Sequence, residues 1–360
     1  MLVTSDVTTV EADRIVFRLP DPGPAVTRVQ LWSEVPVEGS EFSRTDVGWS
    51  LEVPHPGAHR VEYLFTITRG SGDAAETAMV VDPTNPLQVD GVFGAHSWLP
   101  LPGYTPPAWL DAPRVPATLT PCEFATADGL VSGAVWQPAE VEPDRAPTTV
   151  PDLTRLPLLV CHDGSQMARY GGLADFVAAS IATGALPPMR LLLLDPGPHR
   201  DDRYAANARY STALVTEILP AVTARHPTAG KPVVMGQSLG AVAALHAARR
   251  HPGTFAGLFL QSGSFFTPAF DPQERGYSHW AQVTGFTSTL YTAAAPETLP
   301  TMVVCGSEEE NLANNRALAS HLSASVGEVG WGEVPDGHTW TTWRDLLDPY
   351  LTRLLLEAWT

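Results

Sequence analysis

Basic charge is scarce in this 360-residue chain: 22 Lys and Arg stand against 39 Asp and Glu, a formal net charge of −17. A surface of that sign repels a phosphate backbone and an anionic bilayer, which sets aside nucleic-acid and membrane partners. Cysteine is scarce too. Cys122, Cys161 and Cys305 are odd in number and widely separated, so neither a disulfide framework nor a Cys/His zinc site is expected. No apolar run reaches the roughly 18 residues of a spanning helix. The first eleven residues, Met1-Leu-Val-Thr-Ser-Asp-Val-Thr-Thr-Val-Glu11, lack the basic and apolar regions of a signal peptide. These absences predict a reduced, soluble, cytoplasmic protein.

What is present is a globular composition, 44% apolar and 17% charged, with 34 prolines that imply many rigid loops. The length allows two domains. In the first hundred residues, runs such as Arg14-Ile-Val-Phe-Arg-Leu19, Val26 to Trp32, Trp49 to Val53 and Arg60 to Ile67 alternate apolar with polar. Short period-2 strands between Gly, Pro and Asp turns predict an immunoglobulin-like β-sandwich. Trp32, Trp49 and Trp98 are expected in its core. The proline-dense Pro100 to Pro116 reads as a stiff linker.

After it the pattern changes. Leu156 to Cys161, Met189 to Asp195, Pro232 to Met235, Leu258 to Leu260 and Thr301 to Cys305 are short, nearly uniform apolar runs, as expected of parallel strands buried on both faces. Helical stretches lie between and after them: Ala205 to Arg225, Leu239 to Arg250, Ala313 to Ser323 and Trp340 to Ala358. The alternation predicts a doubly wound α/β domain. The expected domains are a sandwich over residues 1–112 and an α/β-hydrolase over 113–360. Pro138 to Arg155, rich in Pro and charge, reads as a solvated insertion loop.

The chemistry centres on Gly236-Gln-Ser238-Leu-Gly240, between an apolar strand and the alanine-rich helix Ala241 to Arg250. A GxSxG in that setting is a nucleophile elbow, which lifts a serine above the sheet at a helix N-terminus. A nucleophilic serine needs a base. In this architecture the acid and then the histidine follow the serine in the chain. His338, in Pro335-Asp-Gly-His-Thr-Trp340, comes after the last strand-like segment and just before the final helix. His246 and His251 lie on or just past the nucleophile helix, and His55, His59 and His96 belong to the other domain. The acid is expected in Gly306-Ser-Glu-Glu-Glu-Asn311, with Glu309 favoured over Glu308 and Glu310. The oxyanion hole should combine the Leu239 N–H with that of Ser165 or Gln166, on the loop after Leu158 to Cys161. His162 and Asp163 on that loop are read as structural. No metal or cofactor is required for this chemistry.

Taken together, the Asp163-Gly-Ser-Gln166 loop, the elbow followed by Gln261-Ser-Gly-Ser-Phe-Phe266, Gly306-Ser-Glu-Glu309 with Asn314-Asn-Arg316, and Gly337-His338 with Trp343-Arg344 resemble the enterochelin (enterobactin) esterases and their actinobacterial relatives. Asp82-Pro-Thr-Asn-Pro86 and the strands before it resemble that family's N-terminal sandwich. The resemblance implies hydrolysis of the esters of a ferric trilactone catecholate siderophore, releasing iron in the cell. An iron-loaded substrate of that kind is anionic, so a protein of charge −17 needs a locally basic site. Arg200, Arg203 and Tyr204, just past a strand's C-terminal end, are the expected substrate contacts, Arg200 matching a family arginine best. Two other functions stay open: a carbohydrate or aryl-ester esterase with a glycan-binding sandwich, and a non-catalytic binding protein on a hydrolase scaffold.

Overall fold

The computed structural model describes residues 7–139, 155–294, 296–326 and 329–359; most of the expected insertion loop, residues 140–154, lies outside them. The described chain forms two units. The first takes in residues through Thr105 together with Gly306–Glu309 and Val334–Thr342, and the second the remainder.

The first unit is a sandwich of antiparallel strands: β1 (Thr9–Val10), β2 (Arg14–Pro20), β3 (Val26–Ser33), β4 (Ser43–Thr45), β5 (Gly48–Pro54), β6 (Arg60–Arg69), β7 (Glu76–Val80), β8 (Gln88–Gly91) and β9 (Gly94–Pro100). One sheet runs β1-β2-β5-β4. The other runs β3-β6-β9-β8, with β7 also on β6. The period-2 pattern turns Ile15, Phe17 and Leu19 inward against Val29, Leu31, Tyr63, Phe65 and Ile67. The Phe17 ring meets Tyr63 edge-on, centroids 4.9 Å apart. Trp49 joins this core. Trp32 and Trp98 are only half-buried, packed edge-on against His96 and Tyr104.

The second unit is an α/β domain on an eight-stranded sheet of β10 (Ala117–Thr126), β11 (Gly129–Pro138), β12 (Leu158–His162), β13 (Arg190–Leu194), β14 (Val233–Gln237), β15 (Gly257–Gln261), β16 (Thr301–Gly306) and β17 (Val329–Val334), in the order β10-β11-β13-β12-β14-β15-β16-β17. β13, β12, β14, β15 and β16 are parallel, and every residue of these five strands is buried. That burial is why they read as unbroken apolar runs. β10 and β11 form an antiparallel hairpin on the outside of β13. The helix Leu239–Arg250 packs on β14 and β15, its many alanines keeping it close to the sheet. No helix among the described residues is long and apolar enough to cross a membrane.

Two expectations need correction. The Pro100–Pro116 stretch is more than a spacer. Its short helical turn Ala108–Asp111 buries Trp109 against Phe176, ring centroids 5.5 Å apart, and Val115 N–H bonds to Ala178 O. The final helix is also interrupted. It runs Trp340–Asp345 and resumes at Thr352–Ala358, with Asp348 extended (φ −110°, ψ 131°). Pro349 explains the break, since proline lacks an N–H and drives the residue before it out of the helical region.

Candidate active site

β14 ends at Gln237 and the next residue, Ser238, takes φ 56°, ψ −124°, a conformation costly for a residue with a Cβ. The two glycines of the motif make the turn possible by close approach. A Cβ on Gly236 would lie 2.2 Å from the Gly240 carbonyl, and one on Gly240 would lie 3.1 Å from His162 Cβ. Ser238 N–H bonds to Gln261 O (2.9 Å), and its carbonyl accepts from Ser264 N–H (3.2 Å). Leu239 N–H opens the following helix, whose first-turn amides have no acceptor within the helix and carry the positive end of its dipole. Ser238 Oγ lies 3.2 Å from Ser264 Oγ, a neighbour that a sequence search for bases does not reveal.

The loop after β12 is fixed with equal strictness. Asp163 is left-handed (φ 49°), and a Cβ on Gly164 would lie 2.3 Å from Leu193 Cα, so the helix Gly164–Arg169 starts hard against β13. That placement corrects one expectation. Ser165 is exposed, but its N–H donates to Asp195 Oδ1 (3.1 Å) and its hydroxyl to Asp195 Oδ2 (2.9 Å), so that N–H is already engaged and is not free for an oxyanion. Gln166 keeps its place on the first turn of the same helix. His162 is fully buried with Nδ1 3.1 Å from Met235 O, and burial pushes its pKa down to about 4, so it is a neutral core residue.

The basic rim is corrected too. Arg200 forms two parallel bonds to Asp163, Nε to Oδ1 and Nη2 to Oδ2, both 2.8 Å, and its guanidinium lies over the Tyr204 ring. The Asp163 side chain is 1% exposed and that of Arg200 32%, so the pair braces the loop from the surface inward. Arg203 spends its donors on Asp128 Oδ2, Pro196 O and Leu130 O, 2.7–3.1 Å away. Tyr204 is fully buried, its hydroxyl accepting Asp163 N–H at 3.2 Å, and burial pushes its pKa up. Arg203 and Tyr204 are therefore internal supports and do not face a substrate, whereas Arg200, tied to Asp163, keeps 32% of its side chain exposed. Their charges are matched by carboxylates far away in sequence, which is why the segment looked free.

In the first unit the structure brings Glu309 and His338 together. The Glu309 side chain is completely shielded, with Oε1 3.4 Å from His338 Nδ1, while the His338 side chain is 20% exposed. Glu308 accepts from the hydroxyl of its neighbour Ser307, and Glu310 is exposed. The loop bearing His338 is tied to the sandwich strand β6. Arg60 Nη2 bonds to Asp336 Oδ2 with both side chains 2% exposed, and Thr341 Oγ1 donates to Glu62 Oε1. Thr339 Oγ1 accepts Thr342 N–H (3.1 Å) and so caps the helix that follows His338. Arg60 and Glu62 escaped the sequence analysis because charges alternating along a strand read as its solvent face, and Asp336 because its partner lies 276 residues away.

The chain matches a family model described as "Putative esterase" over residues 144–354. It belongs to this esterase family. The esterase match includes Ser238, Glu309 and His338 and leaves out β1–β9. Among curated proteins, the chain is 28% identical over 277 residues to the iron(III) enterobactin esterase of Escherichia coli O6:H1 (strain CFT073), a match covering 74% of this chain and 64% of that one. The chain thus spans less than two thirds of that relative's length. Among solved structures, the enterochelin esterase of Shigella flexneri superposes with a TM-score of 0.76 at 22% identity, covering 98% of this chain and 96% of that one. The ferric enterobactin esterase of Salmonella typhimurium gives 0.76 at 24% identity, covering 99% and 97%. These likenesses extend the shared fold of this esterase across the sandwich strands.

Proposed function

We propose that the protein is a serine esterase that hydrolyses the ester bonds of an iron-loaded catecholate trilactone of the enterobactin type. The observations that carry the chemistry are the strained Ser238 at the head of a helix in the second unit and, in the first, a histidine whose Nδ1 faces a shielded glutamate. The substrate class rests on the names of the relatives above. Cys122 and Cys161 as thiols fit a reducing compartment, and we place the reaction in the cytoplasm.

In this mechanism Ser238 is the nucleophile, His338 the base and Glu309 the acid partner. With Nδ1–H turned to Glu309, His338 keeps the lone pair of Nε2 to take the Ser238 proton as Oγ attacks the ester carbonyl. The carbonyl electrons move onto oxygen, which accepts from the Leu239 amide and from Gln166 N–H. Collapse of the tetrahedral intermediate breaks the bond to the alcohol oxygen, and His338 returns the proton to it. Water then repeats the sequence on the acyl-serine, releasing the carboxylic acid and regenerating Ser238.

The test is mass spectrometry of the products from purified protein and an iron-loaded catecholate trilactone, beside Ser238→Ala and His338→Ala. The expected result is stepwise gain of water to linear trimer, dimer and monomer, with each variant slower by on the order of 10⁴ or more in kcat. An intact trilactone beside a hydrolysed simple aryl ester would keep the serine chemistry and reject the substrate.

A further inference from the structure

The loop after β15, Gln261-Ser262-Gly263-Ser264, is held against the nucleophile elbow by three side chains from two other segments of the second unit. Ser262 has φ 46°, strained for a residue with a Cβ. Trp343 Nε1–H donates to Ser262 Oγ (3.0 Å) and Asn311 Nδ2 donates to Ser262 O (3.1 Å). Asn315 engages both backbone groups of Gly263, accepting from its N–H (2.9 Å) and donating to its carbonyl (2.7 Å). Gly263 cannot be enlarged, because a Cβ would lie 2.1 Å from the Phe265 ring. All this bracing ends on one group. The Ser264 hydroxyl, on a residue 3% exposed, lies 3.2 Å from Ser238 Oγ. A hydroxyl withdrawn from water keeps its free energy only by finding a partner, and here the partner is the attacking atom.

We propose that Ser264 is a further catalytic residue, its hydroxyl donating a hydrogen bond to Ser238 Oγ. The proposal rests on the serine-esterase reading. Before reaction, that bond fixes the rotamer of Ser238 and leaves the Ser238 proton for His338. During attack the Ser238 O–H bond breaks, its proton goes to the imidazole and the bond from Oγ to the carbonyl carbon forms. Ser264 keeps its own proton throughout and steadies the negative charge passing through Oγ. In deacylation it serves the same oxygen as that oxygen becomes the leaving group.

The experiment compares the wild-type protein with Ser264→Ala, Ser264→Thr and Ser238→Ala. It measures the second-order rate of fluorophosphonate labelling, kcat and KM on a small aryl acetate, and the melting temperature. Ser264→Ala should slow both labelling and kcat by about 10- to 100-fold, with KM changed less than about threefold and a native melting temperature. Ser264→Thr, which keeps the hydroxyl, should recover most of the rate. If Ser264→Ala fails to fold, Ser264→Cys, with a weaker donor, should give a smaller loss in the same direction. Wild-type rates in Ser264→Ala would overturn the proposal. So would a loss of rate that Ser264→Thr fails to restore at a native melting temperature. Labelling and turnover that survive in Ser238→Ala would instead defeat the serine-esterase reading itself.

Discussion

Arg60, on a sandwich strand, and Asp336, two residues ahead of His338, form an ion pair from which water is excluded. Tyr104 completes it, its hydroxyl accepting from Arg60 Nη1 at 3.1 Å and its ring facing the guanidinium at 5.0 Å. Both charges lose hydration, so the pair matters less as a gain in stability than as a geometric tie. The loop it ties is the one that carries His338.

Removing one partner should therefore cost more than removing both. Arg60→Met leaves the Asp336 carboxyl buried without its counter-charge, and the unfolding free energy should fall by about 3–5 kcal/mol. Arg60→Met combined with Asp336→Leu should regain much of that loss while kcat stays depressed. Urea denaturation and steady-state kinetics on the three proteins check this. A double variant no more stable than Arg60→Met would mean that the pair is not what the single substitution disturbs.

Asp336 also gives a pH dependence with a defined sign. Burial pushes its carboxyl from 3.8 up to about 6, against the attraction of Arg60. Between those values the folded protein holds a proton that the unfolded chain has released. The contribution of this group to stability is thus full below about pH 4 and lost as pH rises to about 6. Asp336→Asn cannot titrate. The difference in melting temperature, wild type minus Asp336→Asn, should fall between pH 4 and 6 and be level above about pH 7. A difference that is level throughout would assign Asp336 an ordinary carboxyl.

Arg200 acts through Asp163, so Arg200→Ala should lower kcat by about tenfold or more through misplacement of the loop that bears Gln166. The loss should be alike for an anionic siderophore and a small neutral ester. Arg200→Lys should recover little, since a lysine cannot make two parallel bonds to one carboxylate. Kinetics on both substrates decide the matter. A rise in KM confined to the anionic substrate would return Arg200 to the role of substrate contact.

The parallel strands were legible because residues buried on both faces leave uniform runs, and the elbow because its whole pattern lies within five residues of chain, between a strand and a helix. The hairpin β10–β11 was not, because β10 is a largely exposed outer strand and lacks such a run. Position along the chain singled out His338. It could not separate Glu308, Glu309 and Glu310, since which carboxylate turns inward depends on the path of a loop. The ties of the two arginines were hidden for a related reason. A sequence shows where a charge is and not what answers it: Asp163 lies 37 residues before Arg200, and Asp128 lies 75 before Arg203. Ser264 escaped because a hydroxyl has no composition signal of its own and gains meaning only from the atom it faces.

The tie between β6 and the histidine loop bears on how such a protein can be cut or recombined. A fragment beginning near residue 106 would keep Ser238, the turn that bears it and the parallel strands. It would lose Arg60 and Glu62, the two groups that grip the segment around His338. The sandwich strands are therefore no removable accessory: a foreign module grafted in their place would have to recreate two buried charges.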